Sequence, residues 1–455
     1  MTRLKVLNDL FSITTNEEKI LNDIKKMLTF PDTSKAYIRG RFNKKLVENR
    51  TLYVSKDSYL YISIGFLSSV IAYLNNNEIG YNIDDKRDKL ILPDDHKKIK
   101  NILGDDQRLD NNQLKALTIC VNESNCIIKM PTSAGKTRLF LAMIKLFNVP
   151  TLILFNSVTL AKQTYDRAKK SGLDIGMVQG SNVDENHMFV IVSVRSKDKL
   201  KRKYDMVIVD ECHYSCSKNY IEILQNKNIK YRFGFSATPV KEKKFDNAKI
   251  EQYLGKVVYD VEANNMIERG RLAKPIIRFV KINSDKLPDD IKYGAVYRDG
   301  IVNNEIRNQA IVQIAKGKKH CIVMVVRDQH GRLLKNMIPG SIFMNHKTPA
   351  DERQEMIERF KNDPDLIVIV SGIFDDGISI DEIETLIIAS GGKAQTRTIQ
   401  RAGRALRVHE KKNTVNIYDF FDKQHGILTK HSRTRWSHYK NEGYEDIEMI
   451  EVDNG

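Results

Sequence analysis

The residues best placed to do chemistry begin with Met130-Pro131-Thr132-Ser133-Ala134-Gly135-Lys136-Thr137, where a short apolar run ends in small residues and an amphipathic stretch follows. That order suits a phosphate-binding loop. Backbone N–H groups and a helix N-terminus attract phosphate, Lys136 reaches the β- and γ-phosphates, and the Thr137 hydroxyl ligates Mg²⁺. Thr132, Ser133, Ala134 and Gly135 are expected to form the cradle, although Met130 stands where the strict pattern has its first glycine. The second element is Val207-Ile208-Val209-Asp210-Glu211-Cys212-His213. A buried strand ending in two acids puts carboxylates at the carboxyl edge of a sheet, beside the phosphate loop. Asp210 would hold Mg²⁺, and Glu211 would polarise an attacking water as general base. ATP and Mg²⁺ are therefore the expected substrate and metal.

Two further constellations follow. Ser236-Ala237-Thr238 closes another apolar run, and Gln400-Arg401-Ala402-Gly403-Arg404-Ala405-Leu406-Arg407 lies in the second half of the chain. At helical spacing Gln400, Arg404 and Arg407 share a face. A solvated helix face has the same pattern. Aimed at a γ-phosphate, the arginines would instead supply transition-state charge, so that hydrolysis opens and closes two domains.

These residues need a scaffold, and the chain supplies one twice. Short β-branched runs alternate with amphipathic stretches: first Cys126–Met130, Thr151–Phe155, Met188–Val194, Met206–Asp210 and Tyr231–Ala237, then His320–Val326, Ser341–Asn345, Leu366–Ser371, Thr385–Ser390 and Thr414–Phe420. Near-continuous hydrophobicity over such lengths predicts strands buried on both faces of a parallel sheet. The fold class is α/β, with two tandem doubly wound domains and a small N-terminal α+β module. Expected boundaries are 1–104, 105–272 and 273–455, with the charged, Gly- and Pro-containing stretch Glu268–Asp299 as the bridge. In the N-terminal module, Arg39, Arg41, Lys44, Lys45 and Arg50 with Tyr37 and Phe42 are either a solvated charged face or a phosphate-contacting patch.

At 455 residues the chain has room for about three domains. Lys+Arg 74 against Asp+Glu 58 leaves +16, which points to a polyanionic partner. A membrane surface is disfavoured: no window approaches a spanning length, and the N-terminus lacks a signal-peptide stretch. Five cysteines make no disulfide framework, and Cys212, His213 and Cys216 lack the second ligand pair of a structural zinc site.

Taken in order, these motifs resemble a superfamily 2 DNA helicase of the phage UvsW type, over residues 105–455 and more weakly over 1–104. The resemblance implies two RecA-like motor domains, a small N-terminal duplex-DNA-binding domain over 1–104, and a set of roles. Arg108 and Gln113 would read adenine, and Gly377, within Ser371-Gly372-Ile373-Phe374-Asp375-Asp376-Gly377-Ile378-Ser379, would lie at the nucleotide. Asp376 and Ser379 replace acids usual in that motif. Lys162, Ser193, Arg195, His346, Ser371 and Gly372 would touch the DNA backbone, with Asn156 where proline is usual and Arg195 where glutamine is common. His213 would couple to Gln400, and Ser236 and Thr238 would relay the coupling. Trp436, among Arg433, Arg435, His438 and Tyr439, would either stack on a base or anchor the C-terminal tail. The implied activity is ATP-dependent unwinding or branch migration of forks, D-loops, R-loops or Holliday junctions, 3′→5′, by a cytoplasmic monomer. An RNA helicase, a restriction-type translocase and a nucleic-acid-binding scaffold without hydrolysis are the rivals.

Overall fold

The computed structural model describes residues 1–38, 41–93, 95–104, 109–131, 134–241, 243–261, 263–371, 380–392, 403, 405–406 and 412–451, with the side chains of 32–47 and 350 excepted. The chain forms two compact units, residues 1–130 with 135–261, and residues 131–134 with 262–455.

The first unit begins with a five-stranded sheet built from β1 (Thr2–Val6), β2 (Leu10–Thr14), β5 (Tyr53–Lys56), β6 (Tyr59–Ser63) and β7 (Tyr81–Asp85). Its order is β5-β6-β2-β1-β7, antiparallel except for the β1–β7 pair. Period-two alternation sends Leu4, Val6, Phe11, Ile13, Leu60 and Ile62 to one face. There they pack with Ile24 and Val70 of the helices Glu18–Met27 and Leu67–Asn76. On the opposite face Arg3, Lys5, Tyr59 and Tyr61 are exposed. Strands β3 (Thr29–Ile38) and β4 (Arg41–Thr51) pair separately as a two-stranded ribbon. The module packs against the helix Lys244–Leu254: Gln252 Nε2 donates to Ser63 Oγ at 3.0 Å, and a Cβ on Gly65 would lie 1.8 Å from the Glu251 carbonyl oxygen. Only glycine fits that approach.

The rest of the unit is an eight-stranded sheet. Its strands are β8 (Asn125–Lys129), β9 (Thr151–Phe155), β10 (Ile175–Gln179), β11 (Asn182–Val183), β12 (Phe189–Ser193), β13 (Met206–Asp210), β14 (Tyr231–Ser236) and β15 (Val257–Asp260). The order is β11-β10-β12-β9-β13-β14-β8-β15, parallel except for β11. Every residue of β9, β12, β13 and β14 is buried, as expected for strands covered on both faces.

The second unit holds a wholly parallel seven-stranded sheet of β16 (Lys274–Ile282), β17 (Cys321–Val325), β18 (Ile342–Met344), β19 (Ile367–Ser371), β20 (Thr385–Ile388), β21 (Thr414–Asp422) and β22 (Ile447–Ile450), in the order β18-β19-β17-β20-β21-β16-β22. Here one expectation fails. Glu268–Asp299 is not simply a bridge, because Lys274–Ile282 forms a nine-residue strand between β21 and β22. Its charged residues Arg278 and Lys281 masked the run, but both pair along the sheet, with Glu448 and Glu451.

Beside β21 lies a buried ionic network. Arg435, on the helix Gly426–Asn441, donates from Nε to both Asp419 oxygens at 3.0 and 3.1 Å and from its terminal nitrogens to the Gly392 and Phe420 carbonyls. Arg307 donates to Asp422 and to the Ala389 carbonyl, each at 2.9 Å, and its guanidinium stacks on Phe420. The Tyr297 hydroxyl donates to the Ser390 carbonyl. Three side chains thus hold three carbonyls of the segment leaving β20, which turns through Gly391 and Gly392 at φ 57° and 93°, where a left-handed backbone favours glycine. Trp436 is half-buried and packs against Phe279 with ring centroids 4.9 Å apart, a contact that suits an anchor for its helix.

Candidate nucleotide-hydrolysis site

Parallel strands bring the residues singled out in the first unit to one edge of the sheet. Lys129, Phe155, Ser193, Asp210 and Ser236 end their strands, and ladder pairing sets Ser193 beside Phe155 and Ser236 beside Lys129. Gly135 caps the helix Lys136–Phe147 from the left-handed region at φ 80°, which turns the chain from loop into helix. A Cβ there would lie 2.3 Å from Gln113 Nε2, the movable end of a side chain, so it is the left-handed backbone that reserves the position for glycine. Lys136 and Thr137 fill the first turn of that helix, and Ala134 is buried just before it.

Lys136 Nζ donates to Glu211 Oε1 at 2.7 Å and lies 3.6 Å from Asp210 Oδ1. Adjacent residues of an extended strand point to opposite faces, so two consecutive acids would not normally meet one lysine. The backbone resolves this at Glu211, which sits in the left-handed region at φ 51° and swings its carboxylate back beside Asp210. For a residue with a Cβ that geometry costs on the order of 1 kcal/mol, and such strain concentrates at functional sites.

From Glu211 a wire of hydrogen bonds runs along the sheet edge. Ser236 Oγ donates to Glu211 Oε2 at 3.1 Å, and the Thr238 N–H donates back to Ser236 Oγ at 3.1 Å. His213 Nδ1 lies 3.0 Å from the same oxygen. Since that hydroxyl proton is committed to Glu211, His213 donates from Nδ1 and leaves Nε2 as an acceptor. His213 Nε2 and Thr238 Oγ1 are buried and unpartnered among the described residues.

Burial and charge divide the titrations. Burial would raise the Glu211 carboxyl, but the Lys136 ammonium outweighs it and holds the group at about 2. Burial, with the Glu211 charge beside it, pushes Asp210 up to about 6 against the pull of Lys136. Burial disfavours the Lys136 ammonium, yet Glu211 and Asp210 together keep it above its ordinary value. Burial drives His213 down to about 4 and His330, in the second unit, down to about 3. Both histidines stay neutral in the folded chain at pH values where an unfolded chain, near 6.5, would be protonated. Stability is therefore expected to fall as pH drops below about 6.5, because the unfolded state takes up protons the folded state refuses. The raised Asp210 opposes this between about 6 and 4, since its folded form takes up a proton earlier. Urea midpoints at pH 7.5 and pH 5 test the balance, and a His330→Gln variant should show a shallower slope. An equal slope in that variant would remove His330 from the account.

Asp210 Oδ1 is buried, has no hydrogen-bond partner among the described residues, and lies 3.6 Å from Lys136 Nζ. A spare carboxylate oxygen at the foot of a phosphate loop, with the Thr137 hydroxyl in the adjoining helical turn, is a hard-oxygen donor set that suits Mg²⁺ shared with phosphate. Residue types and placement fit the metal.

Other expected site residues fall as follows. Gln113 is buried; its Oε1 accepts from the Asp110 N–H at 3.0 Å, and its Nε2 donates to the Gly135 carbonyl at 3.4 Å. Asp110, which closes this capping box, was not foreseen, although the Asp-x-x-Gln spacing before an apolar stretch announces it. Lys162 and Arg195 are exposed beyond β9 and β12; Lys162 pairs with Asp166 at 3.0 Å. Ser193 ends β12 with a buried hydroxyl that has no partner among the described residues. In the second unit His346 follows β18 and is exposed, while Ser371 ends β19 and donates to the Val326 carbonyl at 3.3 Å. Arg108, Thr132, Ser133, Gly372, Gly377, Gln400, Arg404 and Arg407 lie outside the described residues.

Comparison with known proteins agrees with this geometry. Residues 93–241 match the family "Type III restriction enzyme, res subunit", and residues 301–409 match "Helicase conserved C-terminal domain". The DNA 3'-5' translocase XPB2 of Sulfurisphaera tokodaii is 25% identical over 362 residues, covering 68% of this chain and 81% of its own. The ATP-dependent DNA helicase uvsW of Enterobacteria phage T4 is 26% identical over 347 residues, covering 68% of this chain and 67% of its own. Against a helicase-named protein of a Sulfolobus islandicus filamentous virus, the chain spans 66% of the relative's length. In fold it is similar to the ATP-dependent Type ISP restriction-modification enzyme LlaBIII bound to DNA, with a TM-score of 0.57 at 14% identity, over 76% of this chain and 32% of that one. The first parallel-sheet half is thus matched by the res-subunit family and the second by the helicase C-terminal domain family, and in this order and in its helicase-named relatives the chain is similar to the superfamily 2 helicases.

Proposed function

We propose that the protein is an ATP-driven DNA translocase that unwinds or branch-migrates forked and branched DNA in the 3′→5′ direction. The observation that carries the reading is the Lys136–Glu211–Ser236–His213 wire at the carboxyl edge of the first motor sheet. In this reading Lys136 leaves Glu211 for the β- and γ-phosphates when ATP binds. The main charge opposing burial of Glu211 is then gone, its carboxylate becomes more basic, and it takes a proton from the attacking water. Substrate binding itself thus prepares the base. Asp210 and Thr137 would hold Mg²⁺, which offsets phosphate charge. Gln113 and Arg108 would select the base, while Arg404 and Arg407 would meet the γ-phosphate. Gln400 would donate to the free Nε2 of His213, which links hydrolysis to the second motor domain. DNA backbone contacts are assigned to Lys162, Ser193, Arg195, His346, Ser371 and Gly372, and the functional division remains 1–104, 105–272 and 273–455. With no membrane-length apolar helix among the described residues and a charge of +16, the polyanion proposed is nucleic acid.

The test is ATP hydrolysis measured with forked DNA, a four-way DNA junction and duplex RNA. Stimulation by the DNA substrates above RNA is expected; stimulation by RNA alone would move the protein to the RNA unwinders. A second reading, a translocase without strand separation, is favoured by the restriction-subunit match over 93–241. Triplex displacement without fork unwinding would select it.

A further inference from the structure

The open face of the N-terminal sheet is built differently from an ordinary solvated face. Tyr59 and Tyr61 project from β6 on the same side, 42% and 36% exposed, with ring centroids 6.2 Å apart. Their partners in the ladder continue the surface. Val54, 65% exposed, pairs with Tyr61, and Lys56 pairs with Tyr59. On the other side Ser12 pairs with Tyr61 and, across β1, with Lys5. Arg3 lies two residues from Lys5, on the same face, and both are exposed. Two adjacent aromatic rings are therefore flanked by Lys56 on one side and by Lys5 and Arg3 on the other. None of these three cations makes an ion pair or hydrogen bond among the described residues, and the nearby Asp84 on the edge strand is already paired with Lys86 at 2.9 Å. Folding does not need this face, because the core lies wholly on the other one.

We infer that this face is a stacking platform for unpaired nucleobases. Aromatic rings on a sheet give each base a π-surface, and the flanking cations follow the phosphates of the same strand. Duplex DNA keeps its bases stacked inside, so it could use only the cations. The platform would hold an unpaired strand, a role separate from backbone tracking by the motor. The inference shares with the proposed function only the premise that the partner is nucleic acid.

The test uses the full-length protein without nucleotide. Binding of oligo(dT), oligo(U) and blunt duplex DNA is followed by fluorescence anisotropy for wild type, the double substitution Tyr59→Ala/Tyr61→Ala, and the double substitution Tyr59→Phe/Tyr61→Phe. Oligonucleotides carrying 5-iodopyrimidines are photocrosslinked in parallel and the sites mapped by mass spectrometry. The alanine variant should lose about tenfold or more in single-strand affinity and less than twofold on duplex, the phenylalanine variant should keep wild-type affinity, and crosslinks should fall on Tyr59 or Tyr61. A loss with oligo(dT) alone assigns the face to DNA, and an equal loss with oligo(U) extends it to RNA. Unchanged single-strand affinity, equal loss on duplex, or crosslinks only elsewhere would overturn the inference. Because no ATP is used, a wild-type protein whose hydrolysis ignores DNA would sink the motor reading and leave this one standing.

Discussion

Lys136→Ala is expected to reduce DNA-stimulated ATP turnover by at least about a hundredfold, the scale on which one preorganised cationic or hydrogen-bonding group matters to a developing charge. The loss has two sources. The phosphates lose their ammonium, and Glu211 and Asp210 lose the charge that holds their carboxyls down. With burial unopposed both acids shift upward, so the folded chain can neutralise them by taking up protons, and the variant should still fold. Lys136→Arg separates the sources: it keeps a positive charge beside Glu211, but a planar fork cannot reproduce the point charge of an ammonium at the phosphates. It should restore the titration behaviour of the acids more than the turnover. Glu211→Gln complements the pair by keeping nucleotide affinity while losing hydrolysis. Steady-state hydrolysis with and without forked DNA, alongside binding of a fluorescent ATP analogue, reads all three. Activity of the alanine variant within tenfold of wild type would end the assignment.

Arg435→Ala should destabilise the second unit by about 3–5 kcal/mol, the usual consequence of leaving a buried charge without its partner. Asp419 is fully buried, and Arg435 supplies two of its hydrogen bonds. The Gly392 and Phe420 carbonyls lose their donor in the same substitution. Removing both charges, as in Asp419→Leu with Arg435→Met, should cost less than the single truncation, because no orphaned carboxylate remains. Chemical denaturation of the wild type, the single truncation and the double variant measures the difference. A single variant as stable as the double one would mean that the ion pair is not what holds this layer together.

The buried strands were readable because nothing but packing governs them: Thr151–Phe155 and Met206–Asp210 have the expected bounds. The helix Lys136–Phe147 does too. Lys274–Ile282 was not readable, because its charged members neutralise partners that come from far along the chain. At the site, residue types pointed to Lys136, Asp210 and Glu211, yet alternation alone would have set the two acids on opposite faces. The left-handed turn at Glu211 that brings them together leaves no mark in composition. Ser236 could be named from its place at a strand end, but its position as the shared partner of Glu211, His213 and Thr238 is a matter of distances between strands.

The three anchored carbonyls after β20 bear on mechanics. Ala389, Ser390 and Gly392 are tied to Arg307, Tyr297 and Arg435, residues distributed between two segments distant in the chain. Loops behave as soft springs, and a displacement entering a soft spring is absorbed before it travels. This exit is closer to a welded joint. If Arg404 and Arg407 act as proposed, a load reaching Gly392 along the chain would meet three anchored carbonyls and pass into helices and sheet instead of being absorbed by a slack loop.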